Sequence, residues 1–305
     1  MVKQNLSRRK FVTTISACVG TVFLEKVSVS IPGNLSGYST DPLQIVNLGN
    51  SGLKSTLLGM GTGFNGYNRS SSITRAGNAE SLIHLAYEKG IRFFDCADSY
   101  GTHTYVAAAL KGIPRENYTL SSKMWVSKGG IPEPERHDAD ILIDRFRKEL
   151  KTDYLDLVQI HCMTDSEWTG KQKRQMDILE NLKAKNIIRA HGVSVHSLEA
   201  MEKCVESPWV DVVHVRVNPF GESMDKKDPA LVIPVIEKLH KAGKGIIGMK
   251  LIGNGSFRDN SEMIDSSLKY VLGLGTIDMI IVGFELPEQI DNYIKRVGTV
   301  LKSKT

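Results

Sequence analysis

From residue 43 onward, short apolar runs alternate eight times with stretches of helical periodicity over roughly 245 residues, and few folds accommodate that order. The apolar runs are TLLGMGTG, IRFFDCA, YTLSSKMW, LDLVQIHCM, IRAHGVSVH, VDVVHVRVNP, GIIGMKLIG and IDMIIVGFE. Each precedes a helical stretch such as NAESLIHLAYEKG or DADILIDRFRKELK. Hydrophobicity that is continuous rather than alternating marks strands whose two faces are both buried by helices. Glycine closes several of the helical stretches, the usual C-terminal stop. Eight such units exceed what a doubly wound sheet normally carries. The pattern predicts an α/β fold, a (β/α)8 TIM barrel. Ahead of it, IVNLGNSGLKSTLL places GNSG between two apolar segments and reads as an N-terminal β-hairpin.

Three regions follow: residues 1–30 as a signal peptide, 31–42 as a linker and 43–305 as the barrel domain. The leader has a basic cluster, an apolar stretch of about 14 residues and then a polar break, the layout of an export signal. That stretch is too short to span a bilayer. SRRKF (Ser7 to Phe11) resembles the twin-arginine motif, which implies export of the folded protein by the twin-arginine (Tat) machinery to the periplasm or cell envelope. ISAC (Ile15 to Cys18) resembles a lipobox, which would make Cys18 a lipid-anchored N-terminus. The bland alternative is an amphipathic or disordered tail of a cytosolic protein. The net charge of +5 comes mostly from this segment, where five basic residues face one acidic residue; without it the net is +1. Bulk charge therefore gives no support to nucleic-acid binding.

Four scattered cysteines, Cys18, Cys96, Cys162 and Cys204, form no C-x-x-C pair, which argues against a metal cluster or a disulfide framework. No metal site is expected.

In an eightfold barrel the chemistry sits at the C-terminal ends of the strands. Asp95 falls there on the second strand, with Tyr100 in the loop that follows. Lys123 ends the third strand and His161 the fourth. Each has an ordinary reading: a turn residue, rim packing, a snorkelling lysine, a satisfied core histidine. Together they converge. An aspartate and a lysine in neighbouring apolar strands are costly unless they pair. A paired ammonium beside Tyr100 is expected to lower the phenol pKa from its ordinary value near ~10 and ease proton donation. His161 would orient a carbonyl oxygen beside it. Asp98 is required by nothing in this scheme and reads as a loop residue.

These motifs resemble the aldo-keto reductase family across residues 45 to 300. FFDCADSY is similar to that family's D-T-A-x-x-Y signature, SSKM to its lysine strand and LVQIHCM to its histidine strand. The resemblance implies catalytic roles for Asp95, Tyr100, Lys123 and His161, and NADP or NAD as cofactor. The G-x-G-x-x-G fingerprint is missing, and GMGTG is a strand glycine cluster rather than a substitute for it. GVSVH resembles the family's G-x-S-N segment, implying that Ser194 contacts the carboxamide, with Val195 where asparagine is usual. VHVRVNP resembles its Q-x-x-Y-N-P segment, with His214 for glutamine and Val217 for the stacking aromatic. MKLIGNGS resembles the pyrophosphate loop, implying Lys250, Gly253 and Gly255 there. GFELPEQIDNY resembles the adenosine-phosphate loop. Gly283, Phe284 and Gln289 fall where a 2′-phosphate clamp is common, and Glu285 suits ribose hydroxyls. His103 and Ala107 replace a common glutamate and glycine.

A mouth lined by Trp125, Met163, His196, Arg216 and Lys250 suits a polar, sugar-like carbonyl or alcohol as the small-molecule substrate. Export implies a tightly held dinucleotide, because free cofactor is scarce outside the cytoplasm. Two other readings compete. One is a non-catalytic, cofactor-binding redox-sensing or accessory subunit. The other is a Schiff-base enzyme using Lys123, which the Asp95 partner disfavours.

Overall fold

The computed structural model describes residues 37–303. The leader, the twin-arginine motif, the lipobox at Cys18 and residues 31–36 of the expected linker lie outside the described residues. Tyr38, within the rest of that linker, donates a short hydrogen bond to the Ile277 carbonyl, and Pro42 packs against Gly298.

The hairpin pairs β1 (Ile45–Asn47) antiparallel with β2 (Lys54–Thr56). Eight parallel strands follow: β3 (Leu58–Gly61), β4 (Phe93–Asp95), β5 (Thr119–Met124), β6 (Leu155–Met163), β7 (Ile188–Val195), β8 (Val212–Arg216), β9 (Gly245–Met249) and β10 (Met279–Gly283). They close into a barrel in chain order, β10 pairing back onto β3. The (β/α)8 barrel and the hairpin are both as the sequence predicts.

Around the barrel run α1 (Ser72–Ala76), α2 (Ala79–Glu88), α3 (His103–Ala109), α4 (Ala139–Leu150), α5 (Trp168–Lys171), α6 (Lys173–Ala184), α7 (Leu198–Glu206), α8 (Pro229–Lys241), α9 (Ser261–Gly273) and α10 (Pro287–Lys302). Their starts follow local chemistry. Ser197 accepts the Ala200 N–H, Asp228 the Ala230 N–H and Asn260 the Met263 N–H, each satisfying an orphan donor of the first turn. Proline opens α8 and α10, where no N–H is needed.

The hairpin plugs the base of the barrel. Leu48 and Leu53 flank its turn and join Phe93, Leu157, Ala190, Val212, Ile247 and Met279 in one buried cluster. Gly49, at φ +49°, is confined to glycine twice over. A Cβ there would lie 2.5 Å from the backbone of Gly243 and Gly245. With its base plugged and its interior filled by side chains, the barrel has one face left for function, the C-terminal one.

Candidate active site

Register decides which side chains share that face. Asp95 pairs with Ser121, and Lys123, two residues on, has the same facing. Lys123 in turn pairs with Gln159, so His161 follows on the same side of β6. Just beyond, the β6–β7 register breaks and Cys162 takes φ +64°, a bulge that re-aims the strand end at the mouth. Ser194 Oγ accepts the Cys162 N–H at 2.8 Å and so holds the bulge.

Four strand ends thereby deliver one cluster. Lys123 (1% exposed) donates a short hydrogen bond to Asp95 Oδ1 and a second, of 3.1 Å, to the Cys96 carbonyl. Burial alone would raise the Asp95 carboxyl, but the Lys123 ammonium, then the adjoining His214 ring, outweigh it and hold it far below the ordinary range. Tyr100 ends a 3₁₀ turn (Asp98–Tyr100), and its hydroxyl lies 3.5 Å from His161 Nε2. Trp125 stands edge-on to the His161 ring at 5.1 Å. Burial, then the charges of Lys123 and His196, push His161 well below its ordinary pKa, so it is neutral.

One expectation is reversed. Burial, then the Asp95 charge, push the Tyr100 phenol well above 10 rather than below it. Lys123 Nζ lies 5.3 Å from the centroid of the Tyr100 ring, and its hydrogen bonds go to Asp95 and Cys96. Two glycines that sequence reasoning passed over seat this ring. A Cβ on Gly63 or Gly66 would fall 2.2 or 2.4 Å from Tyr100 ring atoms. The signal lies in GTGFNG, where glycines recur in the loop facing the tyrosine.

From Tyr100 and Asp95 a cleft of about 360 Å³ runs along the mouth past Lys250, Asn254, Gly255, Arg258, Glu285 and Gln289 to Arg296. Lys250 donates to Asn254 Oδ1 at 2.7 Å, and burial, then the neighbouring Arg216 charge, lower its pKa. Arg258, which the motif comparison did not single out, is half exposed, with Nη1 4.0 Å from Glu285 Oε2.

Other expected cofactor residues sit differently. Gln289 lines the cleft, but its Oε1 accepts the Glu285 and Leu286 N–H groups and caps α10. Phe284 is buried against Tyr293. Gly253 does not line the cleft. It is buried at φ +59°, in a turn where a Cβ would strike Phe257 and Glu222. His214 is wholly buried and kept neutral chiefly by that burial, with Nε2 3.2 Å from Asp95 Oδ1, so it packs against the ion pair instead of presenting a face to the cleft. On the far side of the mouth, Arg216 is held by Asp225 and donates to the His196 carbonyl at 2.8 Å. Burial, then Arg216, Lys250 and Lys123, hold His196 down at about 3.

A model of the aldo/keto reductase family matches residues 57–267. The chain belongs to this family. The Glycine max protein named "Probable aldo-keto reductase 1" is 27% identical over 228 residues, 70% of this chain and 61% of that protein. Methylglyoxal reductase DkgB of Salmonella typhi is 28% identical over 141 residues, 45% of this chain and 49% of DkgB. The matched region thus spans about half to three fifths of these relatives. An aldo-keto reductase from Klebsiella pneumoniae, solved with NADPH, shares the fold with a TM-score of 0.60 at 16% identity, covering 84% of this chain and 89% of that one.

Against this aldo/keto reductase background, two departures stand out, at the end of β7 and just after β8. Val195 and Val217 are wholly buried, and neither lines the cleft. His103, in place of the common glutamate, is also buried and bridges Glu149 Oε2 and Ser122 Oγ, each at 2.7 Å.

Proposed function

We propose that the protein is an NAD(P)-dependent oxidoreductase that interconverts a small, polar carbonyl and its alcohol, with Tyr100 as the general acid and base. The observation that carries this reading is the placement of the Tyr100 hydroxyl 3.5 Å from neutral His161, above a buried Lys123–Asp95 pair, at one end of the long cleft. The residues suit a dinucleotide in length and charge: Lys250 and Arg258 line the cleft beyond Tyr100, and Gly61, Gly63, Gly255 and Gly283 leave its walls low. When bound, that group supplies or accepts the hydride at the substrate carbon.

The chain's own residues handle the proton. A phenol held well above its ordinary pKa keeps its proton through the working pH range and delivers it to the substrate oxygen as negative charge builds there. Lys123, spent on Asp95 and the Cys96 carbonyl, holds the floor of the site beneath the Tyr100 ring. His161, neutral because burial disfavours its charged form, orients the carbonyl oxygen by hydrogen bonding instead of competing as an acid. Oxidation runs the same proton back to Tyr100. Glu285 at the far end favours ribose hydroxyls, while Arg258 beside it offers charge to a 2′-phosphate, so both dinucleotides are candidates. The Klebsiella neighbour carries NADPH.

Tyr100→Phe tests the reading. Turnover of small aldehydes and ketones should be lost while dinucleotide binding, followed by fluorescence titration, is retained. A variant with wild-type turnover refutes the role of Tyr100. The buried valines at 195 and 217 favour a second reading, a cofactor-binding accessory subunit. A wild type that binds dinucleotide and turns over no carbonyl supports that one.

Residues 1–30 are proposed as a Tat leader delivering the loaded protein to the periplasm, with a lipid anchor if Cys18 is processed. Fractionation of cells carrying Arg8→Lys/Arg9→Lys tests export. Mass spectrometry of the native protein for a bound dinucleotide tests loading.

A further inference from the structure

Two residues before Tyr100, Asp98 is buried at 2% exposure between two arginines from different elements. Arg69 Nε, in the loop after β3, donates to Asp98 Oδ1 at 3.0 Å. Arg145 Nη2, on α4, donates to Asp98 Oδ2 at 2.7 Å. The chain of ion pairs continues on both sides. Arg69 Nη1 donates to Glu133 Oε1 at 2.6 Å, in the loop after β5. Arg145 Nη1 donates to Glu149 Oε1 at 3.2 Å, and Glu149 leads through His103 to Ser122, the neighbour of Lys123. One lattice therefore ties the Tyr100 turn to two mouth loops, α3, α4 and β5.

The backbone it holds is strained. Asn65, Asn68 and Arg69 all take positive φ, between +51° and +57°. Such conformations persist only where the surroundings over-determine them. Gly101, just after Tyr100, is pressed so tightly on this loop that a Cβ would lie 1.9 Å from the Arg69 carbonyl oxygen. The Asn68 N–H donates to the Gly130 carbonyl at 2.8 Å, joining the β3 and β5 loops. Gly63 and Gly66, on the same loop, press on the Tyr100 ring itself. The loop that carries Arg69 is thus also the wall against which the tyrosine rests. Exposed ion pairs add little, but the Asp98 carboxylate is 1% exposed and has no water to replace a lost arginine.

We propose that Asp98 is a positioning residue: it latches the strained loop 65–69 to α4 and so fixes the Tyr100 hydroxyl relative to His161. This rests on the reading of Tyr100 as the proton donor.

Asp98→Asn in the full chain keeps the shape and removes the charge both arginines share. The expected result is a fall in kcat of about 10- to 100-fold, since a misplacement on the order of 1 Å costs about that much. Dinucleotide affinity should stay unchanged. The alkaline limb of kcat should also move, because Tyr100 shifts relative to the other ionisable groups around it: Asp95, Lys123, His161, Cys96 and Cys162.

A second readout does not depend on turnover. In protein labelled with ¹³Cζ-tyrosine, the Tyr100 resonance, assigned by its loss in Tyr100→Phe, should shift in Asp98→Asn together with that of Tyr67 on the released loop, while the other seven stay in place. Wild-type kcat with an unmoved Tyr100 resonance overturns the proposal. If the wild type turns over no carbonyl, the functional reading falls, and the resonance alone still decides the positioning role. Should Asp98→Asn fail to fold, Arg69→Gln removes one arm only, and a smaller shift of the same resonance is expected. A folded Arg69→Gln with the resonance unmoved also overturns the proposal.

Discussion

Lys123→Met is the most informative perturbation of the barrel, because it removes one charge from a pair that water barely reaches. Lys123 is 1% exposed and Asp95 3%, and the methionine keeps most of the side-chain volume. Among the described residues, the side chain left facing that carboxylate within hydrogen-bond reach is the neutral His214, 3.2 Å from Oδ1. Breaking a buried pair in this way costs about 3–5 kcal/mol. The reciprocal Asp95→Asn strands the ammonium at a similar cost. The double variant strands nothing, so its loss should be about 1–2 kcal/mol, giving a coupling energy of several kcal/mol.

The sign with pH follows from the same geometry. In the wild type the Asp95 carboxyl is depressed, so its contribution is present above the unfolded pKa near ~4 and lost as pH falls toward the much lower folded value. In Lys123→Met, burial dominates and raises it, so that variant loses stability as pH rises above about 4. The gap between the two proteins should therefore widen from pH 4 to 7. Urea titrations followed by the fluorescence of Trp125, Trp168 and Trp209 measure all four proteins. Single losses under about 1 kcal/mol, or losses that simply add, would falsify the buried-pair account.

Four further outcomes are expected. Asp278 accepts the Gly49 and Ile246 N–H groups, and burial raises it to about 6. A carboxyl raised on folding favours the native state at low pH, so its contribution is lost as pH rises from about 4 to 6, and Asp278→Asn should flatten the dependence of Tm on pH over that window. Because His161 is held well below 6.5, kcat/KM should show no histidine limb between pH 6 and 8; a limb there that disappears in His161→Gln would contradict its neutral role. Glu285→Gln removes a negative charge at the end of the cleft proposed for the adenosine and should favour the 2′-phosphorylated dinucleotide over the unphosphorylated one by ~1 kcal/mol, read by calorimetric titration of both. Leu48→Ala, at the barrel plug, should cost about 2–5 kcal/mol without changing dinucleotide affinity.

Much of this was legible in the chain because it rests on periodicity. Continuous apolar runs such as LDLVQIHCM and helical stretches such as DADILIDRFRKELK report local burial, and eight of them in order leave little choice of architecture. The Asp95–Lys123 pair was legible too, since two charges in neighbouring buried strands have to answer each other. What escaped depends on distances that no sequence pattern encodes. Gln289 falls at a position suited to a phosphate clamp, yet its amide oxygen caps α10. His214 falls where a cofactor contact is expected, yet it lies deeper, against Asp95. The direction of the Tyr100 shift depends on whether Lys123 approaches the hydroxyl or the ring, a matter of a few ångströms.

Asp98 is the sharpest case. In DSY it has the look of any loop acid, because both partners are remote in sequence: Arg69 precedes it by 29 residues and Arg145 follows it by 47. Only closure of the barrel brings a loop after the first barrel strand and a helix after the third around the turn that ends the second. The strain at Asn68 and Arg69 points the same way, since positive φ at a non-glycine residue is an outcome of packing and leaves little trace in composition. The fold is therefore written in short-range patterns, whereas the aim of the tyrosine is set by long-range contacts. A residue that nothing in the sequence marks can then govern how well the marked ones work.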